Sequence, residues 1–201
     1  EGRYEGITVS SPMQSIHPML LKSATIPPDT GDYSFEVKWD GFRAIIYLDR
    51  GRLKIRSRSL RDMTVEYPTL LALADSMRKR RLILDGEIVA LGASGKPDFG
   101  RMQQRSGKPA SIVFIAFDVL YRDDRCLLNH PYTHRREILE GLNLIGPCWN
   151  TSRRYSDGAA LLAATREHGL EGVVAKHTGS RYEPGQRSGA WLKVKNFSCC
   201  R

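Results

Sequence analysis

The sequence predicts an α+β fold, in which strands and helices are mixed along the chain. β-Rich runs and amphipathic helices follow one another without the strict alternation that a doubly wound sheet requires. The 201 residues fit one large domain or two small ones. Hydrophobic residues make up 41% of the chain, which is enough to form a buried core.

The strands are predicted in order from short apolar or alternating runs. Residues 1–32 are expected to be loop-like because prolines punctuate them. Residues 35–37 form a first strand, and residues 44–48 form a second. A hairpin turn over 49–52 leads to a returning strand that alternates at Leu53, Ile55 and Ser57. Four later runs also read as strands: 82–91, 112–120, 172–176 and 190–194.

Three segments are predicted to be helical: residues 68–80, 133–142 and 158–168. The first begins with Pro68, which suits the first turn of a helix. Its apolar residues form one stripe, made of Leu70, Leu71, Leu73, Ala74 and Met77. Such a stripe is more often a core contact than a partner surface, so we expect it to pack inward.

The charge of the chain favours a polyanionic partner. The formal net charge is +9, although a soluble basic protein without such a partner would have the same charge. The four cysteines lack the spacing of a zinc site or a disulfide framework, which indicates reduced thiols; they are Cys126, Cys148, Cys199 and Cys200. No apolar run approaches the length of a membrane span, so no membrane association is expected.

The tetrapeptide Lys38-Trp39-Asp40-Gly41, with Arg43 close behind, is the most informative motif. A lysine beside an aspartate is often only a solvated ion pair. The alternative is a nucleophile, which requires the ammonium group to lose a proton. Because the ordinary lysine pKa is about 10.4, neighbouring positive charge or a metal ion would have to lower it.

Charged side chains interrupt several of the predicted strands, and they are Lys38, Glu87, Glu171, Lys176, Lys193 and Lys195. Asp85 and Glu87 both lie within one apolar run, with no basic residue adjacent in sequence. Because burial of an unpaired charge is costly, these side chains are expected to line a polar cleft. Lysines suit phosphate oxygens and carboxylates suit a magnesium ion, so the set favours attack on a nucleoside triphosphate.

In this order the motifs resemble those of the covalent nucleotidyltransferases, and among them the adenylation domain of ATP-dependent DNA ligases of the bacterial end-joining type. The resemblance covers about residues 18–196. It is carried by residues 36–43, Ser57-Arg58, Leu84-Asp85-Gly86-Glu87, Phe117-Asp118, residues 171–176, Tyr182-x-Pro184-Gly185-x-Arg187-Ser188 and residues 191–195.

The resemblance implies an ATP-grasp-like nucleotidyltransferase domain, with antiparallel sheets flanked by helices. Residues 1–32 would be a loop-rich lead-in and residues 33–196 the adenylation domain. Residues 197–201 would begin a truncated hinge toward a C-terminal OB-fold domain that this chain lacks. We therefore expect the domain alone to adenylate itself poorly.

The resemblance also implies residue roles. The catalytic residues would be Lys38, Asp40, Lys193 and Lys195. Lys38 would form the covalent bond to AMP. The nucleotide would be held by Glu36 and Phe117 at adenine, by Arg43 and Glu87 at ribose, and by Lys176, Lys193 and Lys195. Glu171 and Asp40 would hold Mg²⁺ or Mn²⁺. DNA would meet Arg56, Arg58 and Arg187, within a basic face that also includes Arg61, Arg101, Arg105 and Lys108.

The implied activity is ATP-dependent sealing of nicked or broken double-stranded DNA. The implied partners are end-joining repair proteins, and the implied state is a monomer in the bacterial cytoplasm, at the nucleoid. One alternative is an RNA ligase or a capping-type nucleotidyltransferase, which shares the lysine and strand motifs. Another is a non-catalytic nucleic-acid-binding module, which would be expected to lack the nucleophile.

Overall fold

A computed structural model describes residues 15–29, 31–92 and 111–196. Ten strands cover these ranges: Lys22–Ser23 (β1), Tyr33–Val37 (β2), Phe42–Asp49 (β3), Arg52–Ser57 (β4), Arg81–Leu91 (β5), Ser111–Arg122 (β6), Arg125–Cys126 (β7), Trp149–Thr151 (β8), Gly172–His177 (β9) and Trp191–Lys195 (β10). The described helices are Leu71–Ser76 (α1), Tyr132–Gly141 (α2) and Gly158–Glu167 (α3), with 3₁₀ turns at Thr64–Glu66 and Pro68–Leu70. None of the described helices is long and apolar enough to cross a bilayer.

The strands form two sheets, and most of their pairs are antiparallel. The smaller sheet has the order β1-β10-β9-β2. The larger sheet has the order β4-β3-β5-β6-β7, with β8 beside β6. Among the described strands, parallel pairing occurs only where the short strands β1 and β8 lie beside β10 and β6. This arrangement confirms the predicted α+β class.

Strand β3 explains how the two sheets share a core. Its alternate residues Ala44, Ile46 and Leu48 belong to a core cluster that also includes helices α1 and α2. The intervening Ile45 and Tyr47 belong to a second cluster, which includes Trp191 of β10. Because side chains alternate across a strand, the middle of β3 is buried on both faces, and its sequence is continuously apolar from Ala44 to Leu48. The second cluster therefore joins the larger sheet to the smaller one.

The predicted helix over 68–80 is shorter than expected. Residues 68–70 form a 3₁₀ turn, and α1 ends at Ser76. The Ser76 hydroxyl donates to the Leu73 carbonyl at 2.9 Å, a side-chain bond that offers the backbone an alternative to continuing the helix. A turn at 77–80 then redirects the chain into β5.

Within the predicted loop-rich lead-in over 1–32, the described residues 15–29 lack regular structure except for the short strand β1. Lys22 and Ser23 pair with Leu192 and Lys193 of β10, so this segment completes the smaller sheet. The Leu20 amide donates to the Gln186 carbonyl at 2.8 Å and fixes the segment further. A two-residue strand carries too little periodicity to be detected in the sequence.

The larger sheet has two distinct ends. At one end, the loop that carries Lys38 leads into β3. At the other end three turns meet, over residues 50–51, 77–80 and 123–124. The Arg50 amide donates to the Arg80 carbonyl at 3.2 Å, and the Asp123 amide donates to the Arg81 carbonyl at 2.9 Å. The predicted hairpin is confirmed there, because Arg50 and Gly51 have φ angles of 47° and 89°, as a tight hairpin turn requires.

Candidate active site

A cleft that opens to solvent lies between the two sheets, and its empty space is about 390 Å³. Its walls come from six strands and the segments flanking them, and they include Leu21, Glu36, Val37, Lys38, Trp39, Arg43, Glu87, Phe117, Val174, Lys176 and Trp191. Each sheet supplies two charged strand residues, Glu36 and Lys176 from the smaller and Arg43 and Glu87 from the larger, and Lys38 follows β2. In the smaller sheet, Glu36 of β2 pairs with Val174 of β9, and Lys176 of β9 pairs with Trp191 of β10.

Lys38 follows β2 and contacts the carboxylate of Glu171, which directly precedes the adjacent strand β9. Its Nζ donates to Glu171 Oε2. The backbone supports this contact, because the Lys38 amide donates to the Gly172 carbonyl at 2.9 Å. Lys195 Nζ lies 2.7 Å from the other Glu171 oxygen, Oε1. Burial raises the pKa of Glu171, but the bonds from Lys195 and Lys38 outweigh it and lower the pKa below its usual value. Glu171 is therefore an ionised carboxylate shared by two ammonium groups.

Asp85 has the basic partner that its own strand does not provide. It is fully buried, and its two oxygens accept the fork of Arg43 at 2.6 and 2.7 Å. The Tyr182 hydroxyl donates to Asp85 Oδ2 at 2.7 Å. Arg43 comes from β3, which pairs with β5. This buried set fixes the Arg43 guanidinium 4.6 Å from the centre of the Phe117 ring.

Glu87 is the second carboxylate of the same strand and lies opposite Arg43 in the sheet. Burial raises the pKa of Glu87 to about 7, and the positive charges of Arg43 and Lys38 only partly oppose this shift. Near neutral pH the group can therefore either donate or accept a hydrogen bond within the cleft.

The inner part of the cleft contains a buried ion pair. Lys176 Nζ lies 2.7 Å from Glu36 Oε1, and the Tyr132 hydroxyl donates to the same oxygen at 2.6 Å. The Lys176 ammonium also lies 4.4 Å from the ring centres of Phe117 and Trp191. Burial lowers the pKa of Lys176, although the charge of Glu36 opposes this shift.

A second cavity, of about 510 Å³, adjoins the first and is strongly basic. It is lined by Lys38, Arg43, Arg58, Arg187 and Lys193, together with residues 18–21, so within the described ranges it has no carboxylate. Burial lowers the pKa of Lys193, and the neighbouring charges of Lys195, Lys38 and Arg187 act in the same direction. The cavity therefore suits an anion such as a phosphate group.

Four of the predicted site residues lie outside the linings of both cavities, and they are Asp40, Arg56, Glu171 and Lys195. Glu171 and Lys195 still belong to the site, because Glu171 contacts both Lys38 and Lys195. Asp40 is half-buried in the turn after Lys38 and lies outside both linings. The Arg56 guanidinium donates to the Leu60 carbonyl at 3.1 Å and lies 3.8 Å from the Asp62 carboxylate. Its partners therefore come from the segment that follows β4. The predicted basic residues Arg101, Arg105 and Lys108 lie outside the described residues, as do Cys199 and Cys200.

Sequence reasoning missed the residues that support the cleft from behind. On α2, Arg135 is fully buried and forms a two-point pair with Asp118, with both distances 2.9 Å. Arg136 is also fully buried and donates to the Phe117 carbonyl at 3.2 Å. Tyr132 begins the same helix. The only sequence signal was a pair of adjacent arginines in a helix that must bury one face, a pattern that also fits a solvated surface.

The metal predictions can be compared with the chemistry of the site. Within the described ranges, no group of three or more His, Cys, Asp or Glu side chains is placed to hold a metal ion. Magnesium is commonly held by one or two carboxylates together with substrate phosphates and water. Glu171 lies beside the basic cavity, so its single carboxylate is suited to hold a magnesium ion together with substrate phosphates and water.

The fold and site define a nucleotide-dependent ligase domain, and comparison with known proteins identifies its family. A family model described as "ATP dependent DNA ligase domain" matches residues 9–195. Because this match covers nearly the whole chain, the chain belongs to that family.

Particular relatives narrow the likeness to end-joining ligases. The multifunctional non-homologous end joining protein LigD of Mycobacterium bovis is 42% identical over 185 residues, which are 92% of this chain and 24% of that protein. The SPbeta prophage-derived DNA ligase-like protein LigB of Bacillus subtilis is 34% identical, over 90% of this chain and 68% of its own length.

A solved structure of mycobacterial DNA ligase D complexed with ATP and MES superposes with a TM-score of 0.83 at 41% identity. The match covers 91% of this chain and 61% of that one. The chain therefore spans about a quarter of the length of the LigD protein and well over half of the solved ligase structure.

Proposed function

We propose that this domain is the catalytic core of an ATP-dependent DNA ligase, in which Lys38 forms a covalent bond to AMP. One observation carries the proposal: Lys38 lines both the inner cleft and the basic cavity. A nucleotide with its base in the first and its phosphates in the second would therefore lie across the Lys38 amine. Proximity of this kind is a large part of enzymatic rate enhancement.

The inner cleft provides groups suited to the nucleoside. Phe117 offers an aromatic face and Glu36 an acceptor for adenine, while Arg43 and Glu87 are suited to the ribose hydroxyls. Lys193 and Lys195 project from the same face of β10, as alternate residues of a strand, and are suited to phosphate oxygens. Lys176 would contribute positive charge from the inner end of the cleft.

The first chemical step follows from this placement. The Lys38 amine, after losing its proton, attacks the α-phosphorus of ATP, so that a nitrogen–phosphorus bond forms and the bond to pyrophosphate breaks. AMP then passes to the 5′-phosphate of a nick, and the 3′-hydroxyl displaces it to form the phosphodiester.

A divalent metal, Mg²⁺ or Mn²⁺, belongs to this proposal. Glu171 would hold the ion together with triphosphate oxygens. We also propose Asp40 as a metal-binding residue. Once bound, the ion would offset the charge that develops as pyrophosphate leaves.

The proposed substrate is nicked or broken double-stranded DNA, with Arg58 and Arg187 at the phosphate and Arg56 nearby. Arg58 and Arg187 line the basic cavity, which supports their role. Because the LigD relatives are named for non-homologous end joining, we further propose end-joining repair proteins as partners. A monomer acting in the bacterial cytoplasm, at the nucleoid, is consistent with these assignments.

Mass spectrometry of the protein after incubation with ATP and Mg²⁺ tests the proposal. We expect an AMP adduct on Lys38 that is lost in Lys38→Ala and retained in Lys79→Ala, which changes an exposed lysine far from the cleft. An adduct on another lysine in Lys38→Ala would contradict the assignment. Sealing assays on nicked DNA and nicked RNA, with ATP and with GTP, then separate a DNA ligase from an RNA ligase or a capping-type enzyme.

A further inference from the structure

The Glu36 carboxylate is held unevenly, with two contacts on one oxygen. Tyr132 and Lys176 both contact Oε1, at 2.6 and 2.7 Å. The nearest described cation to Oε2 is Arg136 Nη1, at 3.9 Å. Arg136 directs its nitrogens instead to the carbonyls of Phe117 and Ser152, at 3.2 and 2.6 Å. Within the described residues, Oε2 therefore accepts no hydrogen bond and remains available to a ligand.

The unused oxygen belongs to a residue that lines the inner cleft, whereas Tyr132 and Arg136 lie behind it. Burial raises the pKa of Glu36, but the charges of Lys176 and Arg136 outweigh it and bring the pKa below its usual value. Burial and the neighbouring Glu36 charge raise the pKa of Tyr132 well above its usual value, so its hydroxyl remains a donor. An ionised carboxylate only accepts hydrogen bonds. The cleft therefore presents an acceptor where a base would lie.

We infer that Tyr132 is a positioning residue for base selection. Its hydroxyl holds Glu36 Oε1, so that Oε2 accepts from the 6-amino group of adenine and opposes the 6-oxo group of hypoxanthine or guanine. This inference rests on the proposed function and extends it, because it assigns base selectivity to a residue outside the cleft lining. Arg136 assists through the Phe117 carbonyl, which anchors the backbone of the residue proposed to stack on the base.

The hydroxyl of Tyr132 is needed because the terminal torsion of a glutamate is broad and has no steep staggered wells. Without this bond, the carboxylate could rotate so that both oxygens meet Lys176 and Arg136. Lys176 and Arg136 would then donate to Glu36 Oε2, and this oxygen would no longer be available to accept a hydrogen bond from the base. A purely structural Tyr132 would act through its ring, which lies edge-on to Trp191 with 6.4 Å between ring centres.

Self-adenylation with three nucleotides separates these two roles. ATP carries the 6-amino group, purine riboside triphosphate lacks it, and inosine triphosphate has a 6-oxo group. In Tyr132→Phe, which keeps the ring, we expect the preference for ATP over both analogues to fall by about tenfold or more, the size expected for one hydrogen bond to a charged group. The change should come from the KM for ATP, while the rate with purine riboside triphosphate stays within about twofold.

Tyr121→Phe is the matched control, because the Tyr121 hydroxyl donates to Asp124 at 3.1 Å, far from the cleft. Its nucleotide preference should equal that of the unmodified protein. Equal preference in folded Tyr132→Phe would overturn the inference and leave the proposed function intact. Because the domain alone is expected to adenylate itself slowly, the outcome that overturns the proposed function is the complete absence of an AMP adduct on the unmodified protein at saturating nucleotide and long incubation.

Glu36→Gln provides a second variant if Tyr132→Phe does not fold, as judged by thermal melting. The amide can donate to a 6-oxo group, so Glu36→Gln should shift preference toward inosine triphosphate. Where Tyr132→Phe does fold, adding it to Glu36→Gln should cause no further loss of selectivity, because both changes act on one interaction. An unchanged preference in Glu36→Gln would overturn the inference.

Discussion

At the scale of single residues, the cleft is controlled by carboxylates whose neighbours determine their charge. Glu36 and Glu171 keep pKa values below their usual range because ammonium groups contact them. Glu87, in the same cleft, has a pKa raised to about 7 because burial dominates. Divergent pKa values within one cleft are common where catalysis or binding depends on charge.

The raised pKa of Glu87 makes stability depend on pH. The folded protein binds this proton more tightly than the unfolded chain, whose ordinary value is 4.5, so stability falls as pH rises from about 4.5 to 7 and remains lower above that. Glu87→Gln removes the cost of ionisation. We expect it to raise the free energy of unfolding by about 1–3 kcal/mol at pH 8 and to change it little at pH 4.

Urea unfolding of both proteins at the two pH values measures this difference. Glu137→Gln serves as the control, because the Glu137 side chain is 70% exposed on α2. If Glu87→Gln gains as much stability at pH 4 as at pH 8, the gain comes from packing of the new side chain and the titration of Glu87 does not explain it.

Phe117 is expected to contribute to nucleotide affinity through its ring face. Phe117→Leu keeps most of the apolar volume but removes the face that Arg43 and Lys176 approach, at 4.6 and 4.4 Å. We expect ATP affinity, measured by calorimetry, to fall by about threefold to tenfold, in line with the value of an aromatic contact. Phe114→Leu, in the other core cluster of the same strand, should lower stability and leave affinity unchanged. Equal ATP affinity in Phe117→Leu would refute the stacking role.

At the scale of elements, the pairing of β5 with β6 depends on one glycine. A Cβ on Gly86 would lie 2.4 Å from the Phe114 ring and 2.5 Å from the Ile115 carbonyl oxygen. The register between the two strands shifts at Asp85 and Gly86, where the sheet places the partner of Arg43. The close approach of backbone and ring therefore helps to place the buried carboxylate.

Gly86→Ala should destabilise the domain by about 1–3 kcal/mol, because an added methyl group must displace the ring or the strand. Gly141→Ala is the control, since a Cβ there meets nothing within 4 Å at the end of α2. That change should be neutral or stabilising by roughly 0.5–1 kcal/mol. Thermal melts of both variants check the pair, and equal melting temperatures would contradict the steric argument.

The sequence predicted those elements whose periodicity extends over several turns or strand residues. Several elements were predicted with ends within one or two residues of those observed. They are the long strands β5 and β6, the hairpin strands β3 and β4, and helices α2 and α3. Strands β1, β7 and β8 have two or three residues each and exist only through their partners, so no local pattern reveals them.

The candidate site was predictable only in part, for the same reason. Spacing within a strand places Lys193 with Lys195 and Glu36 with Lys38, because alternate residues share a face. The partners of Glu36 and Asp85, by contrast, come from other elements: Tyr132 from α2, Arg43 from β3 and Tyr182 from the loop before β10. Their contacts depend on the register between elements, which a single sequence does not reveal.

At the scale of the whole molecule, positive charge is concentrated where the proposed DNA would meet the nucleophile. The chain carries a net charge of +9, and five basic side chains line one cavity. Binding to nicked duplex DNA should therefore weaken steeply with salt. Each phosphate contact contributes about 0.9 to the slope of log affinity against log salt.

Fluorescence anisotropy at several salt concentrations measures this slope. Arg58→Ala and Arg187→Ala should each reduce it by about 0.9, whereas Lys79→Ala at the far end of the sheet should not. The slope should change less in Arg56→Ala, because that guanidinium is already bonded to Leu60. Equal slopes in all four variants would indicate a diffuse charge effect and no defined phosphate contacts.

The three turns that meet at the far end of the larger sheet offer a practical attachment point. Asp49 lies six positions after Arg43 in β3, a span of about 20 Å in an extended strand. Arg50 and Gly51 form a tight, partly exposed loop tip there, where the chain can be opened with little effect on the cleft. A fluorophore, a surface tether or new chain termini introduced at this tip would leave the cleft facing the opposite way. Single-molecule sealing assays could then use this position without obstructing the nucleotide or the duplex.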